Sequence, residues 1–224
     1  MAADSLHVLL LAAGGASRFG SAKQAARLDG TPLLRLMLAR AQELAGPAVS
    51  VVLGAHAAEL VPLISGVSAS VLVNRQWQEG IASSIRLGLE RLPGGCDGVL
   101  LLLADQVQVG TPDLARLAAA WRRQPLLAAA AQYDGRLGVP AIFPRSAFGA
   151  LLQLRGDRGA QGWLRAHAER VAPVPMPRAA VDIDTPEDLA RAQALLEQEP
   201  SLSAPSAKEI SGAEVTRVLG IESP

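Results

Sequence analysis

The stretch that decides the fold is residues 9–23, which read Leu-Leu-Leu-Ala-Ala-Gly-Gly-Ala-Ser-Arg-Phe-Gly-Ser-Ala-Lys. Its first half belongs to an apolar run, residues 8–13, that stops at two consecutive glycines. We interpret the run as a buried strand ending in a glycine loop, whose backbone N–H groups point into a crevice. Arg18 and Lys23 add two positive charges, and fixed N–H donors combined with cations suit the oxygens of a polyphosphate.

Two known glycine-loop motifs come close to this stretch without matching it. Gly15 and Gly20 have the spacing of a P-loop, but that motif has a lysine directly after the second glycine, where this chain has Ser21. The dinucleotide fingerprint Gly-x-Gly-x-x-Gly does not fit either. The alternative to a phosphate-binding loop is a tight strand-to-helix turn with a solvated arginine and lysine.

Composition excludes several classes of protein. The 224 residues suffice for one sizeable domain or two small ones. Half are hydrophobic but only 3% are aromatic, so the core must consist mainly of Ala, Leu and Val. A net charge of zero argues against broad electrostatic capture of nucleic acid or of a membrane, and one cysteine, Cys96, cannot form an internal disulfide. The run at 8–13 is too short for a signal peptide or a membrane span, so we expect a cytoplasmic protein.

Strand and helix patterns alternate along most of the chain, which predicts a three-layer α/β fold with a mostly parallel sheet. Thr31 and Pro32 are predicted to cap and open the first helix. Residues 199–224 are rich in Ser, Pro and Ala, and we expect a mobile tail there with one short helix at about 213–219.

Asp105 follows the most hydrophobic run of the chain, residues 99–103. Because ligands of parallel sheets lie outside the carboxyl ends of the strands, Asp105, the glycine loop and the polar stretch from Asn74 can share one crevice. Mg²⁺ bound to a triphosphate is held by one or two carboxylates together with phosphate oxygens and waters. Asp105 is therefore a candidate metal ligand, and a turn or helix cap is the alternative.

Asp182 and Asp184 precede the last predicted helix, for which Thr185 and Pro186 form the N-cap and the first position. We expect the two carboxylates to face opposite ways along an extended segment, with one of them entering the crevice. Turn and cap chemistry is again the alternative.

Five motifs, in order over residues 6 to about 195, resemble those of enzymes that transfer NMP from an NTP onto a phosphate. They are the glycine loop, Asn74-x-x-Trp77-x-x-Gly80-x-x-Ser83-Ser84, the strand ending at Asp105, Gly138-x-Pro140 with Gly156-Asp157-x-Gly159, and Asp182-x-Asp184-Thr185. The set most resembles the molybdenum cofactor cytidylyltransferase branch of the MobA-like NTP transferases. Ala13 stands where guanylyl-transferring relatives usually have glycine, and Ser84 resembles a serine that contacts cytosine in related cytidylyltransferases.

This resemblance implies a three-layer Rossmann-like nucleotidyltransferase fold with a mostly parallel mixed sheet, in an NTP transferase domain at residues 1–198. It implies transfer of CMP from CTP to the phosphate of molybdopterin with Mg²⁺ as cofactor, and it allows a molybdenum hydroxylase apoenzyme as a further partner. The catalytic residues would be Arg18, Lys23 and Asp105. The other implied roles are nucleotide binding by Ala12, Ala13, Gly14, Gly15, Arg18, Lys23, Gly80 and Ser84, metal binding by Asp105 and Asp184, and acceptor binding by Gly138, Pro140 and Asp157.

Two alternatives stay open at this stage. In the first, the enzyme uses GTP, or an acceptor such as a sugar or alcohol phosphate. In the second, the chain is a nucleotide- or cofactor-binding chaperone for a molybdenum enzyme and does not turn over. The presence of Arg18 and Lys23 together with Asp105 and Asp184 argues against the second, since binding alone would not need both acids.

Overall fold

The computed structural model describes residues 5–16 and 19–198 and the backbone of residues 218–219. The strands are β1 (Leu6–Ala12), β2 (Arg27–Leu28), β3 (Thr31–Pro32), β4 (Val49–Leu53), β5 (Ser70–Val73), β6 (Gly98–Leu103), β7 (Ala128–Tyr133), β8 (Arg136–Pro144), β9 (Val171–Pro175) and β10 (Val218–Leu219). Eight of them form one sheet in the order β10-β5-β4-β1-β6-β8-β7-β9. All neighbours in it are parallel except β8, which is antiparallel to β6 and to β7.

Helices cover both faces of this sheet. They are α1 (Leu33–Ala45), α2 (Ala57–Leu60), α3 (Ile81–Glu90), α4 (Thr111–Arg123), α5 (Phe148–Leu151), α6 (Gln161–Ala166) and α7 (Pro186–Gln198). Side chains alternate along β1, so that Val8 and Leu10 join the core under α1 and α4, whereas Leu9 and Leu11 join the core under α3, α5 and α6. A strand covered by helices on both faces must be apolar throughout, which explains why the apolar run at residues 8–13 is uninterrupted. The predicted three-layer α/β fold is confirmed.

The strand order reverses at β1, which lies between β4 and β6. The chain first builds the sheet outward through β4 and β5 and then crosses back to place β6 on the other side of β1. A crevice forms at such a switch point, outside the carboxyl ends of the strands. The ends of β1 and β6 are joined there, because the backbone N–H of Ala104 donates to the carbonyl of Leu11 over 3.1 Å.

Two local expectations were wrong. Thr31 and Pro32 do not open α1 but form β3, which pairs with β2 across a tight turn at Asp29 and Gly30. Both turn residues have positive φ, 49° and 74°, the combination that a type I′ hairpin requires. Residues 218–219 form a strand beside β5 and not the end of a helix, and the rest of the predicted tail lies outside the described residues. None of the described helices is long and apolar enough to cross a lipid bilayer.

Candidate functional site

A cleft of about 410 Å³ opens at the carboxyl ends of β1 and β6, and we refer to it as the main cleft. Most of the side chains that the sequence singles out line it, namely Ala12, Ala13, Gly14, Gly15, Lys23, Gly80, Ser84, Asp105, Asp157 and Asp184. Arg18 lies outside the described residues. Gly138 and Pro140 are elsewhere, buried within β8.

The glycine loop after β1 is held by Gln24, whose importance the sequence did not reveal, and by Trp77 of the second motif. Gln24 is buried, and its Nε2 donates to the carbonyls of Ala12 and Gly14 over 3.4 and 3.3 Å. The indole of Trp77 packs so close to Gly15 that an added Cβ would lie 3.2 Å from its ring. These contacts fix residues 12–15 of the loop, as a binding site with oriented N–H donors requires.

Lys23 lies between two carboxylates on the floor of the main cleft. Its Nζ donates to Oδ2 of Asp105 over 2.6 Å and to Oδ1 of Asp184 over 2.8 Å. The lysine side chain is only 12% exposed, against 19% and 32% for the two acids. Burial by itself lowers the pKa of Lys23, but the charges and hydrogen bonds of Asp105 and Asp184 outweigh it, so the pKa lies above its usual value. The ammonium group is therefore charged and held where a second cation would also be attracted.

The second oxygen of Asp105 fits a metal ion. Oδ1 is buried and has no hydrogen-bond partner among the described residues, although burying a carboxylate oxygen without a partner is unfavourable. Within residues 5–16 and 19–198, no group of three or more His, Cys, Asp or Glu side chains forms a complete metal site. Mg²⁺ at a triphosphate does not need one, because a pair of carboxylates supplemented by phosphate oxygens and waters suffices.

The expectation that Asp182 and Asp184 face opposite ways was wrong. Side chains two apart in an extended segment share a face, and here it is Ile183, between them, that points into the core with 0% exposure. Asp182 is exposed as a residue, but local desolvation, together with the charges of Asp105 and Asp184, raises the pKa of its carboxyl to about 6. Both acids therefore contribute to one negative cluster around Lys23.

Asp188, in the first turn of α7, holds the segment that carries Asp184. Its Oδ2 accepts from the hydroxyl of Thr185 over 2.9 Å and from the backbone N–H groups of Thr185 and Asp184 over 2.8 and 3.1 Å. These hydrogen bonds, that from the Thr185 side chain first, lower the pKa of Asp188 to about 2. The Thr-Pro-Glu-Asp sequence thus caps α7 and at the same time positions a cleft carboxylate.

The opposite wall of the main cleft is built by the polar stretch after β5. Asn74 is buried, and its Nδ2 donates to the hydroxyls of Ser83 and Ser84 over 2.8 and 2.9 Å. Since the Ser84 oxygen accepts this bond, its own proton stays available for a ligand in the cleft.

Gly80 connects this wall to the loop of Gly156 and Asp157. Its φ is 93°, and an added Cβ would lie 2.4 Å from Oδ1 of Asp157 and from the carbonyl carbon of Gly156. The backbone N–H of Ala82 also donates to the carbonyl of Gly156 over 3.1 Å. Only glycine fits both the conformation and the space, so the motif residue at position 80 permits the contact between two motifs far apart in sequence.

Arg40 of α1 supports the loop that follows Asp105. It is only 2% exposed, and its Nη1 donates to the carbonyls of Val107 and Val109 over 2.6 and 3.0 Å. Burial lowers the pKa of this guanidinium to about 10, partly offset by Asp113 and Glu43. It therefore stays protonated near neutral pH and satisfies two buried carbonyls.

The glycine at position 138 is explained by packing within the sheet and not by contact with the main cleft. A Cβ added at this position would lie 2.2 Å from the hydroxyl of Tyr133, so the tyrosine ring packs directly against Gly138 and any side chain there would displace it. Pro140 follows in the same buried strand. Of the three predicted acceptor residues, Asp157 alone lines the main cleft.

Proteins of known structure share this fold. A homologue of Mycobacterium tuberculosis Rv0371c from a Mycobacterium species is 27% identical, with a TM-score of 0.71 over 86% of this chain and 97% of that one. Rv0371c of M. tuberculosis in complex with manganese is 24% identical, with a TM-score of 0.70 over 86% of this chain and 99% of that one. The 4-diphosphocytidyl-2C-methyl-D-erythritol synthase of Anaerococcus prevotii is 13% identical, with a TM-score of 0.68 over 87% of this chain and 96% of that one, a likeness of fold.

None of the curated proteins is significantly similar to the chain in sequence. The family model for the MobA-like NTP transferase domain matches residues 8–171, which contain the glycine loop, Gly80, Ser84, Asp105 and Asp157. Asp184 lies beyond the matched range, and the structure brings it to the same cleft. The chain belongs to the MobA-like NTP transferase family, whose members are nucleotidyltransferases.

Proposed function

We propose that this protein transfers CMP from CTP to the phosphate of molybdopterin and releases pyrophosphate. The observation that carries the proposal is the bridge of Lys23 between Asp105 and Asp184, at the end of the glycine loop and beside an unpartnered Asp105 oxygen. Transfer of a nucleotidyl group needs a cation at the α-phosphate and carboxylates for a divalent metal in the same place. Nucleotide binding alone does not need both.

Asp105 and Asp184 would hold Mg²⁺ as the cofactor, and the manganese complex of a structural relative agrees with a divalent ion. When bound, this ion would neutralise charge on the triphosphate and on the departing pyrophosphate. The two carboxylates would attract it in competition with Lys23, which forms an ion pair with one oxygen of each.

The chain's own residues position the reactants, and no protein nucleophile is required. An oxygen of the acceptor phosphate attacks the α-phosphorus, the bond from that phosphorus to the bridging oxygen breaks, and pyrophosphate departs with the bonding electrons. Lys23 would donate to the α-phosphate and offset the charge that develops there, and Arg18 would contact the β- and γ-phosphates. The backbone of residues 12–15 would surround the nucleotide from its loop.

The choice of CTP rests on Ala13 and Ser84. Ala13 lines the main cleft at the position where guanylyl-transferring relatives usually have glycine, and the Ser84 hydroxyl retains a proton that it can donate to a carbonyl or ring nitrogen of cytosine. A structural relative with a cytidyl product in its name supports the same choice. Molybdopterin as acceptor, and a molybdenum hydroxylase apoenzyme as the recipient of the product, follow from the resemblance of the motifs.

Thermal unfolding with Mg²⁺ and each of CTP, GTP, ATP and UTP tests the nucleotide. A ligand at about 100 times its Kd adds roughly 2.7 kcal/mol to the free energy of unfolding, and we expect CTP alone to do so. The shift should need Mg²⁺ and should disappear in Asp105→Asn but persist in Asp134→Asn, which changes an exposed carboxylate in the turn between β7 and β8. A shift with GTP and none with CTP would refute the assigned nucleotide, and a shift with none of the four would refute the assigned nucleotide site.

A further inference from the structure

A second cleft, of about 1060 Å³, lies between the β7–β8 turn, the loop of residues 156–159 and α6. Its walls include Arg136, Asp157, Arg158, Trp163 and Arg165, and we refer to it as the arginine cleft. Its volume lies at the upper end of the range for small-molecule sites, and it is more than twice that of the main cleft.

The arginine cleft adjoins the main cleft through one shared residue. Asp157 lines both, and the contact of Gly80 with Gly156 and Asp157 makes this loop the wall between them. A ligand that passes over Asp157 can therefore extend from one cleft into the other. In a nucleotidyltransferase, the molecule that must reach the nucleotide from outside is the acceptor.

The arginine cleft carries a net positive charge, because Arg136, Arg158 and Arg165 outnumber Asp157 among its charged side chains. Arg158 and Arg165 form no ion pair or hydrogen bond within the described part of the chain, and the guanidinium of Arg136 lies over the ring of Tyr133 at 5.3 Å. Two other arginines, Arg86 and Arg116, pair instead with Glu79 and Asp113. Guanidinium groups are always charged and match carboxylate and phosphate oxygens in pairs, so three of them around one concavity suit an anionic ligand.

Trp163 adds a rigid aromatic wall. Its indole stacks on His167 with ring centroids 4.5 Å apart and meets the edge of Phe143 at 5.4 Å, so its orientation is held from two sides. An oriented indole beside guanidinium groups suits a ligand that combines a planar ring with negative charge.

We propose that the arginine cleft binds the part of the acceptor distant from its reacting phosphate, and that this part is anionic. The inference rests on the proposed nucleotidyl transfer and extends it to the acceptor's chemical class. The acceptor is a large molecule with at least one negative group besides the phosphate, so small neutral alcohols or monosaccharides that bear one phosphate do not fill the cleft.

A charge-reversal pair tests the inference. We compare Arg158→Glu/Arg165→Glu with Arg122→Glu/Arg123→Glu, which makes the same charge change on exposed positions of α4. With molybdopterin as acceptor and pyrophosphate release as the assay, the first variant should raise the KM for the acceptor by at least about tenfold, which corresponds to the loss of one charge-assisted contact. Its kcat should change much less, and calorimetric binding of Mg²⁺-CTP should match the wild type.

A direct binding measurement separates this inference from the proposed function. A pterin that carries a phosphate monoester and, at its other end, a carboxylate is followed by its fluorescence anisotropy. It should bind the wild type and the α4 control, bind Arg158→Glu/Arg165→Glu at least about tenfold more weakly, and weaken with salt. Binding equal in all three proteins, or a KM equal in both variants, would overturn the arginine cleft as the acceptor site. Loss of binding in the cleft variant without any CTP turnover in the wild type would support the cleft and would refute the proposed reaction alone.

Discussion

Lys23 lies between Asp105 and Asp184, where it competes with a divalent cation for the two carboxylates. Replacing it should therefore strengthen metal binding and weaken catalysis. In Lys23→Met the ammonium group is gone while the chain length is nearly kept. A metal ion that binds the two carboxylates then no longer has to break the hydrogen bonds of Lys23 to Asp105 and Asp184, which are 2.6 and 2.8 Å long. Each such bond contributes about 1.5 kcal/mol or more, and the partial exposure of Asp184 reduces this, so Mn²⁺ should bind the nucleotide-free variant about 10- to 100-fold more tightly than the wild type.

Turnover should move in the opposite direction. Without Lys23 nothing offsets the charge that develops on the α-phosphate, and the rate should fall by about two to four decades. Mn²⁺ affinity is read from the electron paramagnetic resonance signal of free Mn²⁺, and the rate from pyrophosphate release. Arg122→Met, which removes one positive charge from the surface of α4, should leave both unchanged. Unchanged or weaker Mn²⁺ binding in Lys23→Met would refute the competition, and wild-type turnover would refute its catalytic role.

Three further outcomes follow from the same contacts. Asp105→Ala should lower the rate of pyrophosphate release by about two to four decades, and turnover like that of the wild type would refute its assignment. Arg40→Met leaves the carbonyls of Val107 and Val109 buried without a donor, so calorimetry should show a loss of about 2–4 kcal/mol, and a change under 1 kcal/mol would contradict this. Burial lowers the pKa of His7 to about 4, so the unfolded state binds more protons between about pH 6.5 and 4 and stability falls by up to about 3 kcal/mol as the pH drops through that window. Chemical denaturation of His7→Gln should lack this component, and an identical pH dependence would contradict it.

The parts of the site that sequence could predict are those set by strand order. An apolar run that ends in glycines and an apolar run that ends in Asp105 belong at the same edge of a parallel sheet, and the structure joins them there. The segment of Asp184 arrives at this edge because the N–H of Ile183 donates to the carbonyl of Asp105 over 3.0 Å. Its motif marked this segment as part of the site. The expectation that Asp182 and Asp184 face opposite ways was wrong, because residues two apart in an extended segment lie on one face.

Other supports of the site carry no pattern of their own. Arg40 lies in the apolar stripe of α1, between Met37 and Ala41. Its role cannot be predicted from the sequence, because the carbonyl of Val107 that it binds is brought to α1 only by the fold. Gln24 likewise follows Lys23 without any motif. The arginine cleft joins the β7–β8 turn to residues 154–168, and its charge becomes visible only when these two segments lie side by side.

The central claim is the transfer of CMP at the main cleft, and position-specific labelling of CTP tests it most directly. With Mg²⁺ and molybdopterin present, label in the α-phosphate should move to the acceptor while label in the γ-phosphate should appear in pyrophosphate. Asp105→Asn should abolish both, and Asp134→Asn should abolish neither. An α-label that stays in CTP or appears only as free CMP, or transfer that occurs from GTP and not from CTP, would contradict the claim.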